Sequence, residues 1–393
     1  MKLTAKHTLA ACYTGYITQA TVNNLAPLLF TAFSRDLGVS LGQISLLIAF
    51  NFVTQLVIDA ASVKFIDRIG MRAAAVGAHI FAAAGFVLMG VLPFVMPPFV
   101  GLAVSMAVCA VGGGLTEIVI SPIVEALPGD EKASAMSMLH SFYCWGQVGV
   151  VLLSTLFFVN VGTDRWSLLT KLWAIVPFCN IFLFLKVPIY SLTEEGEAPM
   201  GVRELFRTPG FMRLILLMIC AGASELAMSQ WSSMFAETGL HVSKTAGDLL
   251  GPCGFALLMG SARLFYGIKG SSISLEGFIR ASCCLCIVSY LTAVFAPHPV
   301  ISLIGCSVCG LSVGILWPGT FSIAARDLPR GGGGMFALLA LAGDLGCFAG
   351  PELVGAVSGI SGELKTGILA AAVFPAVMLA VSMRNRNAHA QKS

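Results

Sequence analysis

Three polar side chains, Glu117, Ser121 and Glu125, follow one another at intervals of four residues inside a long apolar stretch. If this stretch is helical, that spacing places all three on one face. A carboxylate in the hydrocarbon core of a membrane costs about 3 kcal/mol, so it is retained where it faces protein, water or a ligand. Its protonated form crosses a dry environment more cheaply than the anion. The motif indicates a transport or proton-carrying site. The alternative is a permanently protonated acid that hydrogen-bonds a neighbouring helix.

The composition indicates where such a motif would act. Of the 393 residues, 57% are hydrophobic and 11% are charged, whereas a soluble domain carries about 25% charged residues. This balance predicts a membrane protein with many spans. The net charge of +3 comes without a basic patch, which argues against nucleic-acid binding. The 12 cysteines lie in apolar runs without clustered His or acidic partners, so we expect packing residues, no metal and no cofactor.

Apolar stretches of about twenty residues predict twelve membrane-spanning helices. The predicted spans are 8–33, 41–66, 72–95, 98–122, 133–160, 168–190, 211–237, 245–268, 275–296, 299–325, 333–357 and 364–383. A polar linker between the sixth and seventh spans divides them equally. The prediction is an all-α membrane protein of two pseudo-symmetric six-helix bundles, at 1–190 and 211–393, joined by a cytoplasmic linker at 191–210.

Lysine and arginine are distributed unequally between the two predicted sides of the membrane. One side holds 18 of the 23 basic residues, and basic residues accumulate on the cytoplasmic side. Both termini are therefore predicted to be cytoplasmic. The other side holds Arg35, Arg165, Lys171, Lys244 and Lys365.

The loop after the second span contains Asp67, Arg68, Gly70 and Arg72. It resembles the signature between helices 2 and 3 of major facilitator transporters, with Val63 in place of the first glycine. We interpret this loop as a cytoplasmic latch, because Asp67 can pair with arginines and accept hydrogen bonds from backbone N–H groups. The alternative is simple anchoring by positive charge.

Two further residues extend this latch, and together with Asp67, Arg68 and Arg72 they form the predicted cytoplasmic gate. Arg263 lies in the equivalent place of the second half and is a candidate partner. Asn51, Gln55 and Asp59 form a polar stripe on the second span, and Asp59 lies near its cytoplasmic end. We therefore include Arg263 and Asp59 in the gate.

Several stretches together resemble the fucose–galactose–glucose:proton symporter family. They are Asn23-Asn24-Leu25, Gly114-Leu115-Thr116-Glu117 with Ser121-Pro122, the stretch from His140 to Gly146, the stretch from Gly314 to Ser322, and the glycine-rich stretch from Gly343 to Pro351. The resemblance implies a major facilitator fold, sugar–proton symport in a bacterial inner membrane and function as a monomer. One departure concerns coupling: the family has an acidic residue shortly after Asn-Asn-Leu, where this chain has Ala26-Pro27. Another acid must then carry the proton, or the coupling ion is a different one.

Polar and aromatic side chains inside the predicted spans are candidates to bind the solute. Carboxylates and amides bond hydroxyl groups, and aromatic faces contact C–H groups. The candidates are Glu117, Glu225, Asn23, Gln19, Gln147, His140, Tyr143, Gln230, Trp231, Trp317 and Asp344. Hydrogen bonding or packing between helices remains the alternative for each, and Asp344 is also a candidate for the relocated coupling acid.

The sequence thus predicts a secondary transporter that moves a small hydrophilic solute, such as a sugar, by alternating access with proton coupling. Its expected partners are the solute, the proton and the lipid bilayer. A drug/proton antiporter or another exporter of an amphipathic compound is the alternative, since Met and Phe are abundant. An intramembrane enzyme would need a nucleophile or activated water beside Glu117 and His140, and none is evident. We therefore expect no enzymatic activity.

Overall fold

The computed structural model describes residues 3–128, 132–190, 200–269, 273–328 and 330–390. The chain divides into two compact units, Met1–Glu195 and Gly196–Ser393. Each predicted span corresponds in the structure to one helix or to a pair of consecutive helices.

The N-terminal unit contains eight helices among its described residues. They are α1 (Ala5–Asn24), α2 (Phe30–Leu37), α3 (Leu41–Ile69), α4 (Met71–Met89), α5 (Pro98–Glu125), α6 (Lys132–Val161), α7 (Trp166–Trp173) and α8 (Ile175–Lys186). A 3₁₀ turn at Ala26–Leu29 separates α1 from α2 and contains Pro27, which lacks a backbone donor and cannot continue the α-helical ladder. The first predicted span is therefore interrupted directly after Asn24.

Eleven stretches of the described chain are long and apolar enough to cross a membrane, judged by length and composition. Helix α1 is not among them, although it has 20 residues. Its polar side chains lower its hydropathy; among them are Lys6, His7, Thr8, Thr14, Thr18, Gln19, Thr21, Asn23 and Asn24. Most of these side chains are buried, so neighbouring protein groups can offer them the polar contacts that lipid cannot.

The C-terminal unit contains ten described helices. They are α9 (Val202–Arg207), α10 (Phe211–Met234), α11 (Lys244–Asp248), α12 (Gly254–Lys269), α13 (Leu275–Phe295), α14 (Pro299–Val313), α15 (Leu316–Asp327), α16 (Gly332–Ser361), α17 (Leu364–Ala371) and α18 (Val373–Ala390). Wider π turns follow α10 at Phe235–Gly239 and join α11 to α12 at Leu249–Cys253. Such turns are frequent at functional sites.

Small residues bring the central helices of each unit close together. A Cβ added at Gly112 of α5 would lie 2.6 Å from the backbone nitrogen of Ala82 in α4. One added at Gly346 of α16 would overlap the carbonyl group of Ile219 in α10. Close backbone approach of this kind is a main source of helix association in membranes. It fixes the two helices, α5 and α10, that carry Glu117 and Glu225.

Candidate functional site

Glu117 of α5 lies beside two glutamines of neighbouring helices. Gln19 of α1 donates from Nε2 to Glu117 Oε2 at 3.3 Å and to Gln55 Oε1 of α3 at 3.1 Å. Gln19 and Gln55 are buried, whereas Glu117 is partly accessible. The predicted acid therefore accepts a hydrogen bond from an amide of α1, and that amide also donates to an amide of α3.

The same chain of hydrogen bonds continues to α6. Gln55 Nε2 donates to Asn23 Oδ1 at 3.0 Å, and Asn23 Nδ2 lies 3.5 Å from the Tyr143 hydroxyl oxygen. Asn24 Nδ2 also reaches that hydroxyl, at 3.4 Å, while it donates to the carbonyl oxygen of Ala20. The structure thus brings together four predicted residues, Glu117, Gln19, Asn23 and Tyr143.

The central member of this cluster, Gln55, is not among the residues predicted to bind the solute. The sequence places it in a polar stripe with Asn51 and Asp59, of which only Asp59 is assigned to the gate. In the structure it bridges Gln19 and Asn23 and is 3% exposed. The sequence contains one indication of this role. Gln55 follows Asn51 by four residues, the same interval that separates Gln19 from Asn23.

Two other predicted features meet beside the cluster. The Tyr16 hydroxyl oxygen lies 3.0 Å from Ser121 Oγ, one helical turn after Glu117. The Tyr16 ring meets the His140 ring edge-on, with centroids 5.5 Å apart. Gln147, on the same helix as His140, is 2% exposed. The Glu125 side chain lies outside the part of the structure that is described.

The C-terminal unit has its own acid, Glu225 of α10, and it is paired with an arginine. Arg263 Nη2 of α12 lies 3.5 Å from Glu225 Oε2, and the two side chains are 19% and 11% exposed. Arg263 Nε also donates to the carbonyl oxygen of Gly314 at 3.3 Å, where α14 ends and α15 has not yet begun. The cation therefore bonds both an acid and an interrupted helix.

The sequence assigns Arg263 to the cytoplasmic gate, and that assignment stays a prediction. Within its own unit, the guanidinium group contacts α10 and the break after α14. The physical reason is the carboxylate of Glu225, which is within reach and would otherwise be a buried charge without a counter-ion.

The aromatic candidates of the C-terminal unit divide into core and lining residues. Trp231 is fully buried, and its Nε1 donates to the carbonyl oxygen of Pro351 at 3.0 Å. Its ring thus packs in the core between α10 and α16, and the expected contact with a solute stays a prediction. Trp317 is partly accessible and packs directly on Gly343, beside the partly accessible Asp344. Gln230 is 3% exposed.

Arg72, predicted as a gate residue, binds the end of α8. Its Nη1 donates to the Phe184 carbonyl oxygen at 2.6 Å and its Nη2 to that of Val187 at 2.8 Å. A cation is favourable there because the last carbonyl groups of a helix are unpaired and partly negative. Arg72 thus caps a helix within its own unit, and its role in the gate stays a prediction. The side chains of the other gate candidates, Asp59, Asp67 and Arg68, lie outside the described residues.

A buried ion cluster in the C-terminal unit was not predicted. Lys244 Nζ lies 3.1 Å from Glu237 Oε1 and 3.1 Å from Asp248 Oδ2, and Ser233 Oγ donates to Asp248 Oδ1 at 2.5 Å. Asp248 is fully buried. The cluster connects α10 and its π turn with α11, which explains how a charged segment is accommodated there. The spacing of Lys244 and Asp248 by four residues was the available signal.

Comparisons with known proteins agree with this architecture. The family model of the Major Facilitator Superfamily matches residues 12–351. No curated protein matches the chain in sequence.

Several solved structures resemble the whole chain. The fucose:proton symporter FucP in its outward conformation has a TM-score of 0.66 and 15% identity, covering 95% of this chain and 97% of its own. A variant of E. coli FucP has a TM-score of 0.66 and 16% identity, with the same coverage. A D-xylose–proton symporter has a TM-score of 0.75 and 12% identity, covering 96% of this chain and 95% of its own.

These matches confirm the predicted all-α membrane fold of twelve helices in two pseudo-symmetric bundles. They indicate a transporter rather than an enzyme. The chain belongs to the Major Facilitator Superfamily of membrane transporters.

Proposed function

We propose that this transporter couples the movement of a sugar or a similar polyhydroxylated solute to a proton, by alternating access. The observation that carries the proposal is the cluster around Glu117. A carboxyl group that is partly accessible accepts a hydrogen bond from Gln19, which in turn bonds Gln55. Such an acid can exchange a proton with water while the amide group of Gln19 holds it in place.

The polar groups beside Glu117 suit a solute with several hydroxyl groups. Asn23 and Tyr143 are partly accessible and together offer donors and acceptors, as a sugar hydroxyl does. The C-terminal unit by itself also offers a carboxylate and a guanidinium group, those of Glu225 and Arg263. The similar structures of fucose:proton and D-xylose–proton symporters support the same solute class.

The proposal includes the setting of the protein. We place it in a bacterial inner membrane, as a monomer with both termini in the cytoplasm. The unequal distribution of lysine and arginine supports this orientation. Bundles at 1–190 and 211–393 with a linker at 191–210 would then alternate between two accessible states.

Uptake into proteoliposomes tests the function. The purified chain is reconstituted, a panel of labelled sugars is offered, and uptake is measured with and without an inward proton gradient. We expect one sugar class to accumulate only with the gradient. Gradient-linked efflux of lipophilic cations without sugar uptake would instead establish an exporter. A chemically altered sugar recovered from the vesicles would show an enzyme.

Glu117→Gln separates coupling from binding. We expect the variant to exchange sugar across the membrane yet to lose accumulation against a gradient, because the amide cannot release a proton. Glu363→Gln is the matched control, since it makes the same chemical change at an exposed position. Undiminished accumulation by Glu117→Gln across the pH range would exclude Glu117 as the coupling acid.

A further inference from the structure

Gln19 donates on one side to Glu117 and on the other side into a chain of hydrogen bonds in which each amide donates to the next group. Gln19 Nε2 donates to Glu117 and to Gln55 Oε1, Gln55 Nε2 donates to Asn23 Oδ1, and Asn23 Nδ2 donates to the Tyr143 hydroxyl. An ionised carboxylate only accepts hydrogen bonds. This direction therefore fits the ionised form of Glu117, and it makes the Tyr143 oxygen an acceptor.

One atom in this chain of bonds lacks a partner. Gln19 Oε1 is buried and has no hydrogen-bond partner among the described residues. An unsatisfied buried acceptor is unfavourable. When Glu117 binds a proton, its new O–H group needs an acceptor, and the neighbouring amide oxygen of Gln19 can supply one.

The chain of amides can adopt the opposite direction without any helix moving. Half a turn of a primary amide about its last bond exchanges the oxygen and the NH₂ group. With Glu117 protonated, its O–H would donate to Gln19 Oε1, and Gln55 Nε2 would donate to that same oxygen. Asn23 Nδ2 would then donate to Gln55 Oε1, and Tyr143 would donate its O–H to Asn23 Oδ1. The proton on Glu117 is the only one added.

A glycine provides the space for this rotation. A Cβ added at Gly113 would lie 3.1 Å from Gln19 Oε1 and 3.2 Å from Gln55 Oε1. Both distances are tighter than ordinary contacts, so a side chain there would hinder both amides. With only a hydrogen at this position, the two amide groups have room to turn.

We propose that Gln19, Gln55 and Asn23 form a relay that reports the protonation state of Glu117 to the Tyr143 hydroxyl. Toward Asn23, the hydroxyl accepts a hydrogen bond when Glu117 is ionised and donates one when Glu117 is protonated, while it accepts from Asn24 in both states. Because Tyr143 is partly accessible, the relay changes what a solute hydroxyl meets there. Gln55 is a positioning residue in this scheme. The inference rests on the proposed proton coupling and describes how the proton alters the solute site.

Other titratable groups on the packed helices have their own partners. Tyr16 bonds Ser121 and meets the His140 ring. His79 Nδ1 lies 2.7 Å from the carbonyl oxygen of Ala75, and its Nε2 lies 2.8 Å from the Asn180 amide nitrogen. Cys12 is buried in α1. The remaining acidic groups nearby, Asp59 of α3 and Glu125 of α5, have side chains outside the described residues.

Infrared difference spectroscopy tests the relay without any solute. The full chain in lipid nanodiscs is brought from neutral to acidic pH, and Glu117→Gln identifies the carboxylic acid band of Glu117. Ring-labelled tyrosine reports whether a phenol donates or accepts, and Tyr143→Phe identifies the band of Tyr143. We expect both bands to change together with the same pH midpoint in the wild-type chain.

Gln55→Met provides the decisive comparison, because it keeps the length of the side chain and interrupts the relay. The carboxylic acid band of Glu117 should still appear at acidic pH, and the pH-dependent change of the Tyr143 band should disappear. Asn51→Leu, which removes another buried amide of α3, should leave both changes intact. If Gln55→Met does not fold, Asn23→Val interrupts the next bond and gives the same expectation.

Two results would overturn the relay: a Tyr143 change that persists in the interrupted variants, or no Tyr143 change in the wild-type chain when Glu117 is protonated. Neither depends on sugar uptake. A transporter that accumulates sugar but shows either result would retain the proposed function and exclude the relay. A chain that shows the relay but accumulates no sugar would exclude only the proposed solute.

Discussion

The ion pair between Glu225 and Arg263 gives a quantitative prediction for the C-terminal unit. The perturbation is to neutralise each partner separately, with Glu225→Gln and Arg263→Gln, and then both together. Both side chains are largely buried, at 11% and 19% exposed, and their charged atoms lie 3.5 Å apart. Each single variant therefore leaves one charge without its counter-ion in a poorly solvated place.

The expected magnitude follows from this distance. At an effective dielectric constant of about 20, two unit charges 3.5 Å apart attract by about 5 kcal/mol before desolvation is counted. Removing one member of a buried pair costs about 3–5 kcal/mol, because the other charge remains. Removing both charges leaves mainly the loss of hydrogen bonds, about 1–2 kcal/mol. The double variant should thus be more stable than either single variant.

Thermal unfolding in detergent measures these differences. A thiol-reactive fluorogenic dye reports unfolding, because every cysteine except Cys179 and Cys284 is buried. For a unit of this size, each kcal/mol shifts the midpoint by about 2–4 °C, so single variants should melt roughly 6–20 °C lower. Asp164→Asn is the control, since the Asp164–Arg165 pair is exposed and contributes under about 1 kcal/mol. The reasoning is refuted if the single variants melt at the temperature of the wild-type chain. It is also refuted if the decrease in the melting temperature of the double variant equals the sum of the two single decreases.

Three further predictions concern packing and pH. Asn180→Leu should destabilise the N-terminal unit by about 1–3 kcal/mol, because it leaves the buried Nε2 of His79 without a partner; an unchanged melting temperature would contradict this. Gly346→Val should prevent stable folding, because its side chain would overlap the backbone of α10; recovery of a monodisperse, full-yield protein would show otherwise. The pKa of Asp36 lies below its ordinary value of 3.8, mainly because Arg35 donates hydrogen bonds to it. The ionised Asp36 side chain therefore stabilises the fold at pH values above its unfolded-state pKa. This contribution is lost as the pH falls through the lower, folded-state pKa. The wild-type melting temperature should therefore decrease below about pH 4 more than that of Asp36→Asn, and parallel pH profiles would exclude the effect.

Long apolar stretches were enough to predict the spans other than the first, whose helix α1 is less apolar, because lipid requires each span to satisfy its own backbone hydrogen bonds. The same argument made Glu117 and Glu225 conspicuous, since an acid in an apolar stretch is costly. Gln19, Asn23 and Tyr143 were found by their helical spacing. The sequence therefore determined which helices exist and which residues in them are out of place in lipid.

Only the tertiary structure determines which side chains contact one another. Gln55 and Gln19 are 36 residues apart in sequence and are hydrogen-bonded in the fold, and no local pattern specifies that two polar faces meet. Arg263 and Arg72 have long side chains that reach more than one helix, so their partners depend on which acid or helix end lies within reach. Trp231 could have faced a solute or the core, and the close approach of α10 to α16 placed it in the core. Helix formation follows from local interactions and the membrane, whereas these contacts depend on how helices distant in sequence pack together.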